Sequence, residues 1–558
     1  MTSGLLPAVV LALGLSFTAV ACTDSKASLG TQTGGTLVIA TAADPNLLFP
    51  PLIVSLPARQ VAEQIYDYLV VVGPEMNTSG DAGFQPRLAE SWKWAPDSLS
   101  IAFKIHGKAR WHDGVSADAN DVRFTYQVYT NRQLGSPSAE ELSNIDSVTT
   151  ADSLTAVFWY HSRSSHQLLD ASQMMILPRH ILEKLPMDSL AEAGASATPI
   201  GTGRFRFHNW TRSSFLELIA DTANYRGRPG VDRVIWTVAP NFATAVTKLF
   251  GGEADVFAAM RPENIAELTR HRDLRLQSMP GTDYVFMGFN LHDPKRPARQ
   301  HPLFASRELR RALTMAVDRT SLVKNAFDTL AAVAIGPTVR VFPTTDTTLR
   351  QIPFDPQRAK AILDSLGWRD TSAQGIRKRN GQELAFTALV PSSSQARMRM
   401  AVLIQEQLRR IGVRMQIEQM EFNTFQSLLD SRDFDAALWS WHLGATPNSV
   451  REAWGGESAR KKGGINYGAY ESSRFDAYVD SAISAIKPAD SRRYFTAAYQ
   501  IIIDDAPAIW LYEPKTVIGL HRRITTGAMR PDAWWFDLGS WLIPKSEQIN
   551  RDRVPSGR

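Results

Sequence analysis

The sharpest chemistry in this sequence belongs to a thiol, because the 558 residues include a single cysteine, Cys22. A lone cysteine forms no intrachain disulfide and no thiolate metal cage, which leaves modification of its sulfur as its chemistry. It follows the small residues Ala19-Val20-Ala21 at the end of an uncharged, mostly apolar run from Leu5. Other groups that could do chemistry fail on spacing. The eleven histidines are scattered without an HExxH pattern, and His106 and His112 have no third ligand nearby, so no metal site is expected. There is no Gly-x-Ser-x-Gly elbow to activate a serine. Asp504 and Asp505 are adjacent, and on a strand their carboxylates would point to opposite faces. These spacings carry no catalytic or metal chemistry, no cofactor is expected, and a secreted hydrolase is left as a remote alternative.

The run before Cys22 is shorter than the ~20 apolar residues of a membrane span. With Thr23-Asp24-Ser25-Lys26 after the cysteine, it resembles the lipobox of bacterial lipoproteins. Ala19 stands where leucine is usual, and no Lys or Arg precedes the run. The competing reading is an N-terminal anchor helix with an incidental cysteine. Both place the remainder outside the cytoplasm. The expectation is a signal peptide over 1–21, lipidation at Cys22 and a flexible Ser/Thr/Gly tether over 22–33. The protein is then exported, as a periplasmic or cell-surface lipoprotein.

The elements that must carry any site are those of an ordinary folded chain, 44% hydrophobic and 21% charged. Its length exceeds what one core can serve and predicts three or four units. A net charge of +5 without basic runs interleaved with aromatics argues against a nucleic-acid partner. Thr36–Ala40 and Ile101–Ile105 have strand patterns. Leu309, Ala312, Leu313, Ala316 and Val317 mark a helix, as do Ala401, Ile404, Leu408 and Ile411, with Gly412 as its stop. Val413, Met415 and Ile417 alternate as a following strand. Trp534, Trp535, Phe536 and Trp541 are expected to pack the chain end onto a lobe.

Ordered motifs then become recognisable. Pro86-Arg87-Leu88-Ala89-Glu90-Ser91-Trp92 leads to Trp111-His112-Asp113-Gly114. Further on come Pro199-Ile200-Gly201-Thr202-Gly203, Tyr225-Arg226-Gly227, Gly252-Glu253-Ala254-Asp255 and Arg310-Arg311-Ala312-Leu313. Phe434-Asp435-Ala436-Ala437-Leu438 and Asp505-Ala506-Pro507-Ala508-Ile509 complete the series. The chain resembles extracellular solute-binding protein family 5, the oligopeptide, dipeptide and nickel binding proteins, over roughly residues 34–525. The resemblance implies an α/β fold, a two-lobed periplasmic-binding-protein clamshell (type II, cluster C-like) with an additional N-terminal subdomain. Lobe I would combine 34–65, 190–285 and 505–545. The inserted subdomain would cover 66–189 and lobe II 286–504, with a polar tail over 546–558. Strands near Tyr284–Asn290 and Ile509–Tyr512 would cross between the lobes as the hinge.

The resemblance also implies a monomeric solute-binding component of an ABC importer. It would close on a peptide-like ligand, exclude water and present the closed form to a membrane permease. Ligand-binding candidates are Trp439, Trp441 and His442 on lobe II, and Phe49, Tyr284 and Asn290 on the opposite wall. Trp439 is equally readable as core. Peptide-binding members carry an aspartate after this tryptophan for the ligand's α-ammonium. Here the text is Leu443-Gly444-Ala445-Thr446-Pro447-Asn448, without a carboxylate. Either another acid such as Glu452 supplies the charge, or the ligand is a blocked peptide, an oligosaccharide, a metal chelate or another solute. A sensor role on the same fold is a further alternative.

Overall fold

A computed structural model describes residues 34–196, 198–444 and 449–553. Cys22, the preceding run and the tether lie outside the described residues. Twelve strands form the main sheet: β1 (Thr36–Thr41), β2 (Phe205–Thr211), β3 (Phe215–Ala220), β4 (Arg233–Val238), β5 (Val256–Phe257) and β6 (Leu274–Pro280) from one lobe. The other lobe supplies β7 (Asp283–Phe289), β8 (Ala331–Val333), β9 (Ala385–Pro391), β10 (Arg414–Met420) and β11 (Ala436–His442). The fourteen-residue β12 (Ala508–His521) belongs to both. The order is β10-β9-β11-β7-β12-β5-β1-β4-β3-β2, with β6 and β8 also paired to β12.

Alternation along the strands gives each lobe two cores. Leu37 and Ile39 of β1 join Trp236, Trp535 and Trp541 on one face, while Val38 and Ala40 join Leu249 and Phe257 on the other. In the second lobe, Val285, Met287 and Phe289 of β7 face one cluster, and Tyr284 and Phe286 face another with Trp439, Trp454 and Trp510. A sheet covered on both faces has few polar positions, which is why these strands are so apolar. A separate antiparallel sheet, in the order Ala89–Trp94, Ser100–Ile105, Thr155–Tyr160 and Ile145–Asp152, builds the inserted subdomain around Phe103 and Phe158.

The expected helices and strands form with small shifts of bounds. Ser306 caps the helix Arg307–Met315 and Ser394 caps Gln395–Arg409. Gly412 takes a positive φ of 84° before β10, a conformation costly for any side chain. Two expectations need correction. The crossings lie at Gly281-Thr282 and between Pro514 and Lys515, because Asp283–Phe289 and Ala508–Pro514 already pair within the second lobe. Where they cross, a Cβ on Gly281 would lie 2.4 Å from the Pro514 carbonyl oxygen, so the two strands touch backbone to backbone. Asp504 and Asp505 end the helix Pro488–Asp505 rather than lying on a strand.

The motif residues prove to be joints. Gly201 and Gly203 have no room for a Cβ beside the backbone of Gln64 and Ile65, the end of the Leu56–Ile65 helix. Buried Asp67 accepts from Thr202 Oγ1 (3.0 Å), Tyr225 Oη (2.9 Å) and Arg226 Nη2 (2.6 Å). His112 accepts from Gly201 N through Nδ1 (3.2 Å), so its Nε2–H points at the Gly203 carbonyl (3.0 Å) and the ring is neutral, as its burial also favours. Together they fasten the subdomain to the first lobe. The polar tail is also tied down through Asp552, whose Oδ1 accepts from Thr36 N of β1 at 2.8 Å.

Candidate ligand-binding cleft

Two hollows lie where the second lobe faces the first lobe and the subdomain, and Glu141 borders both. The inner one, about 180 Å³, is walled by Arg59, Tyr68, Arg530 and Asp532 on one side and reaches Gly444 on the other. The outer one, about 650 Å³, lies between Glu140, Glu141 and Asp170 of the subdomain and Glu452, Glu457 and Lys461 of the second lobe.

The two hollows differ in charge. In the inner one each arginine has a carboxylate partner. Arg59 Nε donates to Glu63 at 2.8 Å, which holds the guanidinium protonated, and Arg530 Nε donates to Asp532 at 2.5 Å. Arg530 is further fixed by donating to the Val72 carbonyl (2.8 Å). In the outer hollow the acids outnumber the cations, and Arg451 is engaged by Asp480. Burial pushes the Asp170 carboxyl up to about 7, and the nearby Glu141 charge adds to the rise. Burial likewise raises Glu141, with Arg59 pulling it down and Glu452 pushing it up; Glu452 itself is raised by burial and by Glu140. Such a site holds negative charge at a cost that a cation would relieve.

The six expected ligand contacts separate into two groups. Trp441 is half-buried at the end of β11 and stacks on Tyr467, with ring centres 5.6 Å apart and planes 23° apart. His442 is exposed, with Nδ1 2.7 Å from Asp283. That hydrogen bond raises its pKa, and the charges of Asp532 and Arg59 also reach it from the inner hollow. These two end β11, two residues before the Gly444 that borders the inner hollow. Trp439 is 5% exposed between Phe286, Phe434 and Tyr467, which places it in the core. Tyr284 is fully enclosed and accepts from Trp454 Nε1 at 2.8 Å. Phe49 packs in the subdomain core against Gly194. Asn290 spends its amide on the carbonyls of Arg432 and Phe434 (2.9 and 3.0 Å). The strand period explains Tyr284, since its side of β7 faces the aromatic core and not the hollows. Arg59, Glu141, Asp170 and Arg530 were missed because they sit on helices and turns with no motif around them.

The subdomain also touches the second lobe directly at the edge of the outer hollow. Ser165 N donates to the Ala485 carbonyl at 2.8 Å. His166 is buried with Nδ1 3.3 Å from the Thr78 carbonyl and Nε2 3.3 Å from Ser491 Oγ. Burial lowers its pKa to about 4. The unfolded imidazole titrates near 6.5, so as pH falls the unfolded chain takes the proton first. Stability present above pH 6.5 is lost towards pH 4, and at pH 5 this amounts to about 2 kcal/mol relative to pH 8. Asp170, with its raised pKa, contributes in the opposite direction. The clean readout is therefore a difference: His166→Gln should remove that part of the pH dependence in denaturation curves, and equal slopes for both proteins would refute the assignment.

Comparison with known proteins places this architecture. Residues 83–461 match the bacterial extracellular solute-binding proteins, family 5. The oligopeptide-binding protein AppA of Bacillus subtilis is 26% identical over 96% of this chain and 97% of its own length. Heme-binding protein A of Haemophilus influenzae is 23% identical over 87% of this chain and 88% of its own. Among solved structures, Bacillus subtilis AppA in complex with a nonapeptide has a TM-score of 0.74 at 25% identity, covering 92% of this chain and 99% of that one. NikZ of Campylobacter jejuni in complex with Ni(L-His) has a TM-score of 0.76 at 21% identity, covering 91% and 99%. With two lobes joined by paired crossing strands and an inserted third unit, the chain belongs to the bacterial extracellular solute-binding proteins, family 5.

Proposed function

We propose that this protein is the solute-binding component of an ABC importer and captures a peptide-like ligand with a cationic end. The observation that carries the reading is the acid-rich outer hollow, beside an inner one whose Arg59 and Arg530 are balanced by carboxylates. A peptide would place its ammonium towards Glu141 and Glu452. Closing the lobes removes water, so these charges act in a lower dielectric than at an open surface. Trp441 offers a flat rim for a peptide plane or side chain. The output is delivery to a membrane permease by a monomer tethered outside the cytoplasm through lipid on Cys22.

Gly444 supports one narrower alternative. It stands on the cavity wall, in the segment after Trp441 that lacks the aspartate carried there by peptide-binding members. A solute without a free amino terminus remains compatible with that wall.

Native mass spectrometry of the purified protein, followed by denaturation to release its ligand, tests the reading. A set of short-peptide masses is expected. A single non-peptide solute would replace the peptide assignment while leaving the binding role in place.

A further inference from the structure

The subdomain meets its two neighbours in different ways. Its chain runs into the first lobe at both ends, and Asp67, His112, Gly201 and Gly203 fasten it there. It meets the second lobe without a chain connection, where Ser165 and His166 face the turn between the helices Ser473–Ser484 and Pro488–Asp505. Any movement of the lobes about Gly281-Thr282 and Pro514-Lys515 must therefore make or break this second contact.

Its bonds are of a kind that can be given up. Ser165 N donates to the Ala485 carbonyl at 2.8 Å. The Thr78 carbonyl only accepts, so His166 Nδ1 carries the proton that meets it, and in the neutral ring Nε2 is left to accept from Ser491 Oγ. Ser491 has one hydroxyl proton, and the Ala482 carbonyl of its own lobe lies closer, at 2.8 Å against 3.3 Å. The bond across the contact thus competes with one inside the second lobe, and losing it leaves Ser491 with a partner. The Ser165 hydroxyl is buried without any partner, a cost that contact with water would remove. The apolar residues of the facing turn, Ile486 and Pro488, are exposed, so the contact is polar and can part without uncovering a core.

Its place gives it a use. Ser164 and His166 line the outer hollow from the subdomain, and Ile483 and Ser484 line it from the second lobe. From this geometry we infer that the contact is a latch on the outer hollow: Ser165 and His166 close on Ala485 and Ser491 to shut its rim, and part from them to admit and release a ligand. The inference rests on the cleft being the ligand site, and it gives the subdomain a share in closing it. The joint to the first lobe stays fixed while the latch opens.

Pulsed dipolar spectroscopy between spin labels on Ala151→Cys and Ala477→Cys, in the full-length chain carrying Cys22→Ser, tests this. Both alanines are exposed, one on the subdomain strand Ile145–Asp152 and one on the helix Ser473–Ser484 of the second lobe. Two separations are expected, and a tripeptide library should enlarge the shorter population. His166→Ala and Ser491→Ala should each reduce that population about threefold or more, the weight of one weak hydrogen bond. If His166→Ala does not fold, Ser491→Ala decides. Hydrogen exchange at the Ser165 amide should quicken by a similar factor, because that amide is covered only while the latch is shut. Two separations that respond to the substitutions but not to the library would uphold the latch and overturn the peptide assignment. A single separation, unmoved by substitution and by the library, would overturn the latch.

Discussion

Replacing Arg523 by methionine is expected to destabilise the protein by ~3–5 kcal/mol, the usual cost of removing one partner from a buried ion pair. Arg523 donates through Nε and Nη2 to Asp255 (2.8 and 2.9 Å), through Nη1 to Asp552 (2.6 Å), and through Nη2 to the Thr36 carbonyl (3.0 Å). All three charged side chains are at most 1% exposed. Asp255 also accepts from Val38 N (2.9 Å) and from Arg551, and Asp552 from Thr36 N and Ile549 N (2.8 and 2.7 Å). The cluster therefore binds β1, the start of β5, the end of β12 and the C-terminal turn into one unit. Without Arg523, Asp552 loses its cation and Asp255 keeps only Arg551. Chemical denaturation checks the size of the effect, read as a midpoint shift because a chain this long need not unfold in one step. Adding Asp255→Asn and Asp552→Asn to the Arg523 variant should restore part of the loss. A change below ~1 kcal/mol would mean that water enters and solvates the cluster.

That cluster also illustrates what the sequence could and could not reveal. Gly252-Glu253-Ala254-Asp255 was visible as a motif, but its partner Asp552 lies in a stretch that reads as a polar tail. Nothing local distinguishes a solvated aspartate from one folded back on a strand over 500 residues away. The same holds for Gly201-Thr202-Gly203, whose glycines are needed by the end of a helix that precedes the whole subdomain. Strands and helices were legible because burial repeats every two or 3.6 residues, as in Ile101–Ile105 and Ala401–Leu408. The hollows were not, because their walls come from a 3-10 turn at Pro137–Leu142, a short helix at Gln167–Ala171 and loops brought together by tertiary packing. Tyr284 misled for a related reason: its place on the hinge side of the sequence did not reveal which face of β7 it occupies. The place of Trp441 and His442 at the end of β11 was legible from the motif before them, since the buried Ala436–Trp439 fix that strand.

The charge of the outer hollow leads to the second large expectation, that neutralising its acids selectively weakens ligands with a free ammonium. A charge-assisted hydrogen bond is worth ~1.5–3 kcal/mol, or roughly ten- to 150-fold in affinity. The Glu452 charge raises Glu141, so the effects of the two substitutions should not simply add. Glu141→Gln and Glu452→Gln are each expected to cost about tenfold for a peptide with a free amino terminus, and nearly nothing for its acetylated counterpart. Asp170 supplies an independent check. With its carboxyl near pH 7, about half of it is protonated there, and an arriving cation favours the ionised form. Binding should therefore release up to about half a proton at pH 7, visible as a dependence of the measured enthalpy on the buffer's ionisation heat. Affinity should rise between pH 6 and 8, and Asp170→Asn should remove both effects. If free and acetylated peptides bind alike, and no proton is released, the acids serve only to separate the lobes and the ligand's charge lies elsewhere.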